Sequence, residues 1–332
     1  MFDKLFRKAG KDESEAASRA VYRRPKIGLA LGSGVAKGWA HIGVLRAMNE
    51  KGIVPDVVAG TSIGAVVAGA YVSEGLDDLE SWARSLSKTN FFRFVDFRLR
   101  GGGLFGGQKL YDLMVKSFGH HEIEELATPF VAVGCDLMTG HEVWMQKGAL
   151  VPALRASFAL PGIFDPVMWD GRWIVDGALV NPVPVSVCRA LGAELVIAIN
   201  LAEDIFGRAR AERQQVVATG KYGVFADSLA PQEIMGKQRS GMFVRKLLRH
   251  EKGAPSIFAN MVASLNIIQN RLSRSRLAGD PPDISIDPRV GHIGLMEFHR
   301  ADELIDIGHQ AFEDEFDDLS DALQIIGYTM NS

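Results

Sequence analysis

The sequence predicts an α/β protein in three layers, with helices on both faces of a mainly parallel central sheet. Short runs of uninterrupted apolar residues alternate along the chain with segments whose apolar residues follow helical spacing. Strands buried on both faces read as continuous apolar runs, and parallel strands need helical crossovers, so this alternation is typical of the fold class. Two of the runs end in glycine-rich turns, which we expect at the carboxyl edge of the sheet.

The predicted elements follow one another over most of the chain. Apolar runs predict strands over residues 27–32, 57–61, 130–134, 142–145, 195–200 and 283–287. Helical spacing predicts helices over residues 39–49, 63–72, 258–272 and 301–316. The Asp170-Gly171 pair between two apolar runs predicts the turn of a β-hairpin.

Composition excludes several classes of protein. The chain has 332 residues, of which 47% are hydrophobic and 23% charged, so it can bury a large core and is neither disordered nor fibrous. The net charge of −3 gives no global basic excess, and we expect no nucleic-acid partner. Cys135 and Cys188 lack metal-ligand spacing and are predicted to be buried, reduced thiols.

One domain over residues 26–320 accounts for the pattern of strands and helices. Residues 1–25 are polar and predict an N-terminal extension, residues 204–252 predict a basic, mobile excursion, and residues 321–332 predict a C-terminal tail. No apolar signal segment follows the N-terminal basic residues, and glycines interrupt the longest uncharged run. We therefore expect a cytoplasmic protein whose attachment to the inner face of a membrane, if it occurs, is peripheral.

The first chemical motif is the G-x-S-x-G pentapeptide Gly60-Thr61-Ser62-Ile63-Gly64. It lies between a predicted buried strand and a predicted helix, which is the context of a nucleophile elbow. The flanking glycines allow strand and helix to pass closely, and the helix N-terminus favours developing negative charge. The alternative interpretation is a glycine-rich turn in which Ser62 only caps the helix.

The second motif is the glycine-rich turn between Gly32 and Gly38, which also joins a strand to a helix. Such a turn presents successive N–H groups to one point, as phosphate sites and oxyanion holes do. Its glycine spacing matches neither the dinucleotide fingerprint nor the Walker pattern, so the oxyanion interpretation fits better. Lys37 would add positive charge nearby.

A serine nucleophile needs a base, and the sequence leaves two kinds open. Asp176 ends an apolar strand and precedes Gly177, and partial burial would raise the pKa of its carboxylate and make it a better base. His292 and His299 are the histidine alternatives, in a Ser-His-Asp arrangement. His41 falls on an apolar helix face and is predicted to pack rather than to act in catalysis.

Taken together, these motifs resemble the patatin-like phospholipases, most closely the bacterial branch related to neuropathy target esterase. Gly28–Leu45 is similar to that family's oxyanion segment, and Gly60–Ala65 to its nucleophile motif. Asp176-Gly177-Ala178 resembles its D-G-G/A motif, followed by Asn181–Pro184. Ala156–Phe164 is similar to a block that lines the family's site.

The resemblance implies a patatin-like fold and a Ser–Asp dyad, with no metal or other cofactor. Ser62 would be the nucleophile, Asp176 its base, and the N–H groups of Ser33, Gly34 and Val35 the oxyanion hole. Ser33 and Val35 stand where the family has glycine, so a positive φ at Val35 would be strained. The residues that would support the motifs are Gly32, Lys37, Gly38, Gly60, Gly64 and Gly177.

The function implied is a serine lipid-acyl hydrolase that cleaves phospholipids or lysophospholipids through an acyl-enzyme. Three alternatives remain open: a Ser-His-Asp esterase, an acyltransferase, and a non-catalytic lipid-sensing regulator. Phenylalanines and glycines between residues 91 and 107 predict a flap over the acyl chain. The basic excursion would favour an anionic membrane surface. A homo-oligomer is left open.

Overall fold

The structure is a computed structural model that describes residues 24–87, 103–105, 107–202 and 257–328. Most of the predicted N-terminal extension, the whole basic excursion over residues 204–252 and most of the predicted flap lie outside the described residues.

The described residues form ten strands and nine α-helices, besides short 3₁₀ turns. The strands are β1 (Ile27–Leu31), β2 (Val57–Thr61), β3 (Gly103–Phe105), β4 (Phe130–Asp136), β5 (Glu142–Met145), β6 (Gly162–Phe164), β7 (Val167–Trp169), β8 (Arg172–Asp176), β9 (Leu195–Ile199) and β10 (Ile284–Ile286). The helices are α1 (Ala40–Glu50), α2 (Ile63–Val72), α3 (Leu76–Ser85), α4 (Gln108–Phe118), α5 (Leu150–Ser157), α6 (Val185–Ala190), α7 (Ile257–Gly279), α8 (Ala301–Asp314) and α9 (Phe316–Ile325).

The central sheet has the strand order β10-β9-β1-β2-β4-β8-β7, and β5 pairs with β4. The pairs from β10 to β4 along this order are parallel, whereas β5, β8 and β7 enter antiparallel. β3 and β6 form a separate two-stranded parallel sheet. The predicted α/β class with a mainly parallel central sheet is confirmed.

Helices cover both faces of the sheet because β1 and its neighbours are apolar on both sides. Leu29 and Leu31 belong to a large core under the helices of one face, while Ala30 belongs to a smaller core on the other face. α6 contributes Val187 and Cys188 to the smaller core. Three layers follow from this arrangement, since a strand without a polar face must be covered twice.

Two local predictions are confirmed. Asp170 and Gly171 join β7 to β8 with φ values of 47° and 73°, which is the left-handed backbone that a two-residue hairpin turn requires. Cys135 and Cys188 are buried and form no disulfide.

The predicted boundary at residue 320 is wrong. It falls inside α9, whose Leu323 is buried in the large core, and the buried Tyr328 accepts a hydrogen bond from the N–H of Val54 through its hydroxyl oxygen. The helix predicted over residues 301–316 ends at Asp314, and α9 follows from Phe316. Residues 316–328 thus belong to the domain because they cover apolar surface.

In the part of the chain that the structure describes, no helix is both long and apolar enough to cross a bilayer.

Candidate active site

The turn from β2 to α2 presents Ser62 in a strained backbone conformation. Its φ is 58° and its ψ is −127°, a combination that non-glycine residues rarely adopt and that tertiary contacts must hold. A β-carbon on Gly60 would lie 2.5 Å from the α-carbon of Ala65, and one on Gly64 would overlap with the carbonyl oxygens of Leu31 and Gly32. The two glycines therefore let the helix start directly against the sheet.

Ser157, on the last turn of α5, links the backbone of the Ser62 turn to β4 through hydrogen bonds. Its Oγ accepts a hydrogen bond from the N–H of Ser62 at 3.0 Å and donates one to the carbonyl of Val133 at 2.6 Å. Ser157 falls in the sequence block that is predicted to line the site, but this role was not predicted. A fully buried serine within an apolar helix is the signal that marks it, because a buried hydroxyl must find partners.

Strand register brings Asp176 to Ser62. In β4, Val133 pairs with Thr61 of β2, and the next residue, Gly134, pairs with Asp176 of β8. The Oγ of Ser62 donates a 2.6 Å hydrogen bond to Oδ2 of Asp176, across 114 residues of sequence. The other carboxylate oxygen, Oδ1, accepts a hydrogen bond from the N–H of Ala178 at 2.8 Å.

Burial sets the proton affinity of this carboxylate. Desolvation raises the pKa of Asp176 to about 6, against the hydrogen bonds from Ser62 and Ala178, which lower it. A carboxylate with a pKa near neutrality is a better proton acceptor than an exposed one. The geometry thus pairs the hydroxyl of Ser62 with a carboxylate of raised pKa.

The glycine-rich turn offers two N–H groups rather than the predicted three. The N–H of Ser33 donates to the carbonyl of Pro182 at 2.9 Å, so it is not available to an oxyanion. The N–H groups of Gly34 and Val35 have no acceptor within the described part of the chain. The predicted strain is present, since Val35 has a φ of 53°. The assignment of Ser33 to the oxyanion hole is therefore wrong.

The supporting residues lie around these two turns. The N–H of Gly32 donates to the carbonyl of Ile199 at 3.0 Å, and a β-carbon on Gly38 would overlap with Ile63. A β-carbon on Gly177 would overlap with the carbonyl oxygen of Val133. Lys37 is buried and lines a separate, more polar pocket together with Ser33 and Gly34, rather than the space above Ser62.

Ser62 and Asp176 both line an apolar cavity. Its empty space is about 1010 Å³, including the part that opens to solvent. No histidine within the described residues lines it, and Nε2 of His292 instead contacts Oε1 of Glu303 at 2.9 Å. The walls include Trp39, Val66, Leu79, Met114, Phe118 and Phe158.

Comparison with known proteins shows the family of this chain. A family model for patatin-like phospholipases matches residues 29–189, a range that contains both Ser62 and Asp176. An uncharacterized NTE family protein of Mycobacterium tuberculosis (strain ATCC 25618 / H37Rv) is 33% identical to this chain, over 91% of this chain and 96% of its own length. The chain belongs to the NTE family of patatin-like phospholipases. Membership supports a lipid hydrolase in general terms.

Two further relatives match about half of this NTE-family chain. Neuropathy target esterase sws of Drosophila melanogaster is 33% identical over 53% of this chain, which corresponds to 13% of the fly protein. A patatin-like phospholipase domain-containing protein of Caenorhabditis elegans is 36% identical over the same share of both chains. Among solved structures, VipD from Legionella pneumophila has 12% identity and a TM-score of 0.34, over 92% of this chain and 80% of its own.

The arrangement contains the parts that acyl transfer needs. A hydroxyl is hydrogen-bonded to a base, free backbone donors lie on the adjacent turn, and an apolar cavity opens beside them. The Ser-His-Asp alternative receives no support from the described residues, since a base must reach the nucleophile and the partner of Ser62 is a carboxylate.

Proposed function

We propose that this NTE-family protein is a serine lipid-acyl hydrolase that cleaves phospholipid or lysophospholipid esters with Ser62 and Asp176. The observation that carries the proposal is the 2.6 Å hydrogen bond from Ser62 Oγ to Asp176 Oδ2, between two residues that line the apolar cavity. The apolar walls suit an acyl chain, because its transfer from water into such a cavity is favourable.

In the first step, Ser62 Oγ attacks the ester carbonyl carbon while its proton passes to Oδ2 of Asp176. The carbonyl oxygen becomes an oxyanion, which the N–H groups of Gly34 and Val35 stabilise, a contribution of about 3 kcal/mol per donor in studied hydrolases. The tetrahedral intermediate then collapses, the ester C–O bond breaks, and the leaving alkoxide takes the proton from Asp176. An acyl-Ser62 ester remains.

In the second step, water replaces the alcohol. Asp176 accepts a proton from the water as its oxygen attacks the acyl carbon, and the same donors hold the new oxyanion. Collapse breaks the bond to Ser62 Oγ, which recovers the proton from Asp176, and the fatty acid leaves. The cycle consumes one water molecule and restores both residues.

A covalent probe and a lipid panel test this proposal. We expect a fluorophosphonate to label Ser62, as located by mass spectrometry, and we expect release of fatty acid from phospholipid or lysophospholipid substrates. An added alcohol acceptor separates hydrolysis from acyl transfer, since an acyltransferase would yield the new ester. Absence of both labelling and product would instead favour a non-catalytic regulator.

The pH dependence of hydrolysis is expected to report the raised pKa of Asp176. The carboxylate accepts a proton only when ionised, so kcat/KM should rise with pH up to about 6 and level off above it. Initial rates of hydrolysis of a soluble, uncharged ester between pH 4 and 8 measure this pH dependence. Circular dichroism checks folding at each pH. A rise of kcat/KM with its midpoint near pH 4, or a kcat/KM that does not change with pH, would contradict a buried carboxylate base.

An exposed apolar surface lies on the same sheet edge as the dyad. Leu137, Met138, Met168 and Trp173 are 49%, 80%, 50% and 47% exposed, and we call them the hairpin patch. Met168 pairs directly with Trp173 across the β7–β8 hairpin, and the N–H of Leu137 donates to the carbonyl of Trp173 at 2.8 Å. Because Trp173 precedes Asp176 by three residues in β8, the hairpin extends about 10 Å past the catalytic carboxylate.

We propose that the hairpin patch contacts the lipid surface from which the substrate is drawn. A tryptophan beside aliphatic residues suits the boundary between head groups and acyl chains. Replacing Trp173 and Met168 together with Ser should lower binding to phosphatidylcholine–phosphatidylglycerol vesicles by about tenfold or more, since apolar burial is lost.

A soluble short-chain ester separates this effect from damage to the site. Its hydrolysis should not change in the double variant, whereas release of fatty acid from vesicles should fall. Ile325→Ser is the matched control, because Ile325 is 85% exposed at the end of α9. Equal vesicle binding by all variants would argue against a role of the hairpin patch.

A further inference from the structure

A buried histidine that the proposed chemistry does not use lies behind the glycine-rich turn. His41, in the first turn of α1, is fully buried, and its Nε2 lies 2.7 Å from the carbonyl oxygen of Gly32. A carbonyl only accepts hydrogen bonds, so Nε2 carries the proton and donates it. Burial lowers the pKa of His41 to about 4, against the hydrogen bond to Gly32, which raises it. The ring is therefore neutral at physiological pH.

The other ring nitrogen distinguishes this residue from ordinary packing. Nδ1 of His41 is buried and has no hydrogen-bond partner among the described residues. In the neutral ring this nitrogen is an unpaired acceptor, and leaving such a group buried is unfavourable. An apolar side chain would fill the same space without that penalty. What the imidazole adds is its one donated hydrogen bond to the turn.

That hydrogen bond holds a peptide next to the candidate oxyanion donors. The carbonyl of Gly32 and the N–H of Ser33 belong to one peptide unit. The first accepts from His41, and the second donates to the carbonyl of Pro182 at 2.9 Å. Both polar groups of the peptide are thus anchored, and the free N–H groups of Gly34 and Val35 follow immediately.

The turn needs such anchoring, and α1 is placed to supply it. Val35 is held at a φ of 53°, a conformation that a β-branched residue leaves unless contacts over-determine it. α1 itself is fixed against α8, because a β-carbon on Gly43 would overlap with the carbonyl of Ile305 and one on Gly308 with that of Ala40. The donor on His41 therefore comes from a helix with little freedom to shift.

We propose that His41 is a positioning residue for ester hydrolysis, which holds the Gly32 carbonyl so that the N–H groups of Gly34 and Val35 converge on the oxyanion. The inference rests on the proposed function. It assigns no proton transfer to His41, because the base is Asp176 and the ring acts through the backbone of the turn.

The test compares His41→Gln with His41→Met. A Gln amide places a donor where Nε2 of the ring lies, and Met has nearly the same length and shape without a donor. With a soluble chromogenic ester, we expect His41→Met to lower kcat by about 10- to 100-fold with KM within twofold, because donors that act in the transition state are misaligned. His41→Gln should keep kcat within a few-fold. The rate of fluorophosphonate labelling of Ser62 should fall in parallel with kcat.

Several results would overturn this role. One is a wild-type kcat in a folded His41→Met variant, and another is an equal loss of kcat in the Met and Gln variants. A rise of KM at constant kcat would also contradict it. So would a loss of kcat that matches the unfolded fraction measured in urea titrations. If His41→Met does not fold, the His41→Asn variant is tested instead. The Asn side chain is one bond shorter than Gln, so its amide does not reach the carbonyl of Gly32. Equal activity of the Gln and Asn variants then refutes the role. A wild-type protein that neither hydrolyses esters nor reacts with the probe refutes the proposed function itself.

Discussion

Replacing Asp176 with Asn is expected to lower kcat/KM for ester hydrolysis by about 10³-fold or more, because general-base catalysis contributes 10²- to 10⁴-fold and the amide cannot accept the proton. The substitution is nearly isosteric. The Asn oxygen still accepts from the N–H of Ala178, and its NH₂ group can donate to the Oγ of Ser62. Ser62→Ala, which removes the nucleophile, should abolish both turnover and fluorophosphonate labelling.

The same Asp176→Asn substitution should stabilise the fold at neutral pH. The pKa of Asp176 is about 6 in the folded protein and near 3.8 when unfolded, so the folded state binds more protons between these values. Wild-type stability therefore falls as pH rises through that window. Removing the buried charge should recover on the order of 2 kcal/mol at pH 8 and much less at pH 4.5.

Urea unfolding at pH 4.5 and pH 8 measures this difference, with activity determined in parallel at pH 8. Asp306→Asn, at an exposed position of α8, is the control and should change neither quantity. Near wild-type turnover in Asp176→Asn would remove the carboxylate from the mechanism. Equal destabilisation at both pH values would mean that Asp176 holds the structure rather than acts as the base.

Gly64→Ala is expected to destabilise the protein by about 3 kcal/mol or more, because overpacking costs most when the contact is rigid. The added β-carbon would overlap with the carbonyl oxygens of Leu31 and Gly32, and neither backbone atom can rotate away. Relief requires α2 to move off β1, which carries Ser62 away from Asp176. We therefore expect ester hydrolysis to be lost in any fraction that folds.

Gly279→Ala is the matched control for this substitution. Gly279 ends α7, and a β-carbon built on it meets nothing within 4 Å, so stability and activity should remain near wild type. Soluble yield, the urea midpoint and the labelling rate of Ser62 are compared for both variants. A Gly64→Ala protein with wild-type values in all three would show that the close packing of elbow and sheet is not needed.

Structural features that depend on residues adjacent in the sequence were predictable from the sequence. The apolar runs at residues 27–32, 57–61 and 195–200 become β1, β2 and β9 almost to the residue, because a strand buried on both faces admits few polar side chains. The elbow at Ser62 and the hairpin turn at Asp170-Gly171 were predictable for a similar reason. Each needs a backbone conformation that few residue types adopt, so the residues themselves mark it.

Other features depend on which groups the fold brings together, and these needed the tertiary structure. Pairing of Ser33 with Pro182 removes one expected oxyanion donor, and the contacts of Ser157 and His41 were not foreseen. The contact of Asp176 with Ser62 rests on the register of β4 with β2 and β8, which joins residues 114 positions apart. Spacing along the chain encodes local geometry, whereas a hydrogen-bond partner far along the chain is selected by packing and strand register.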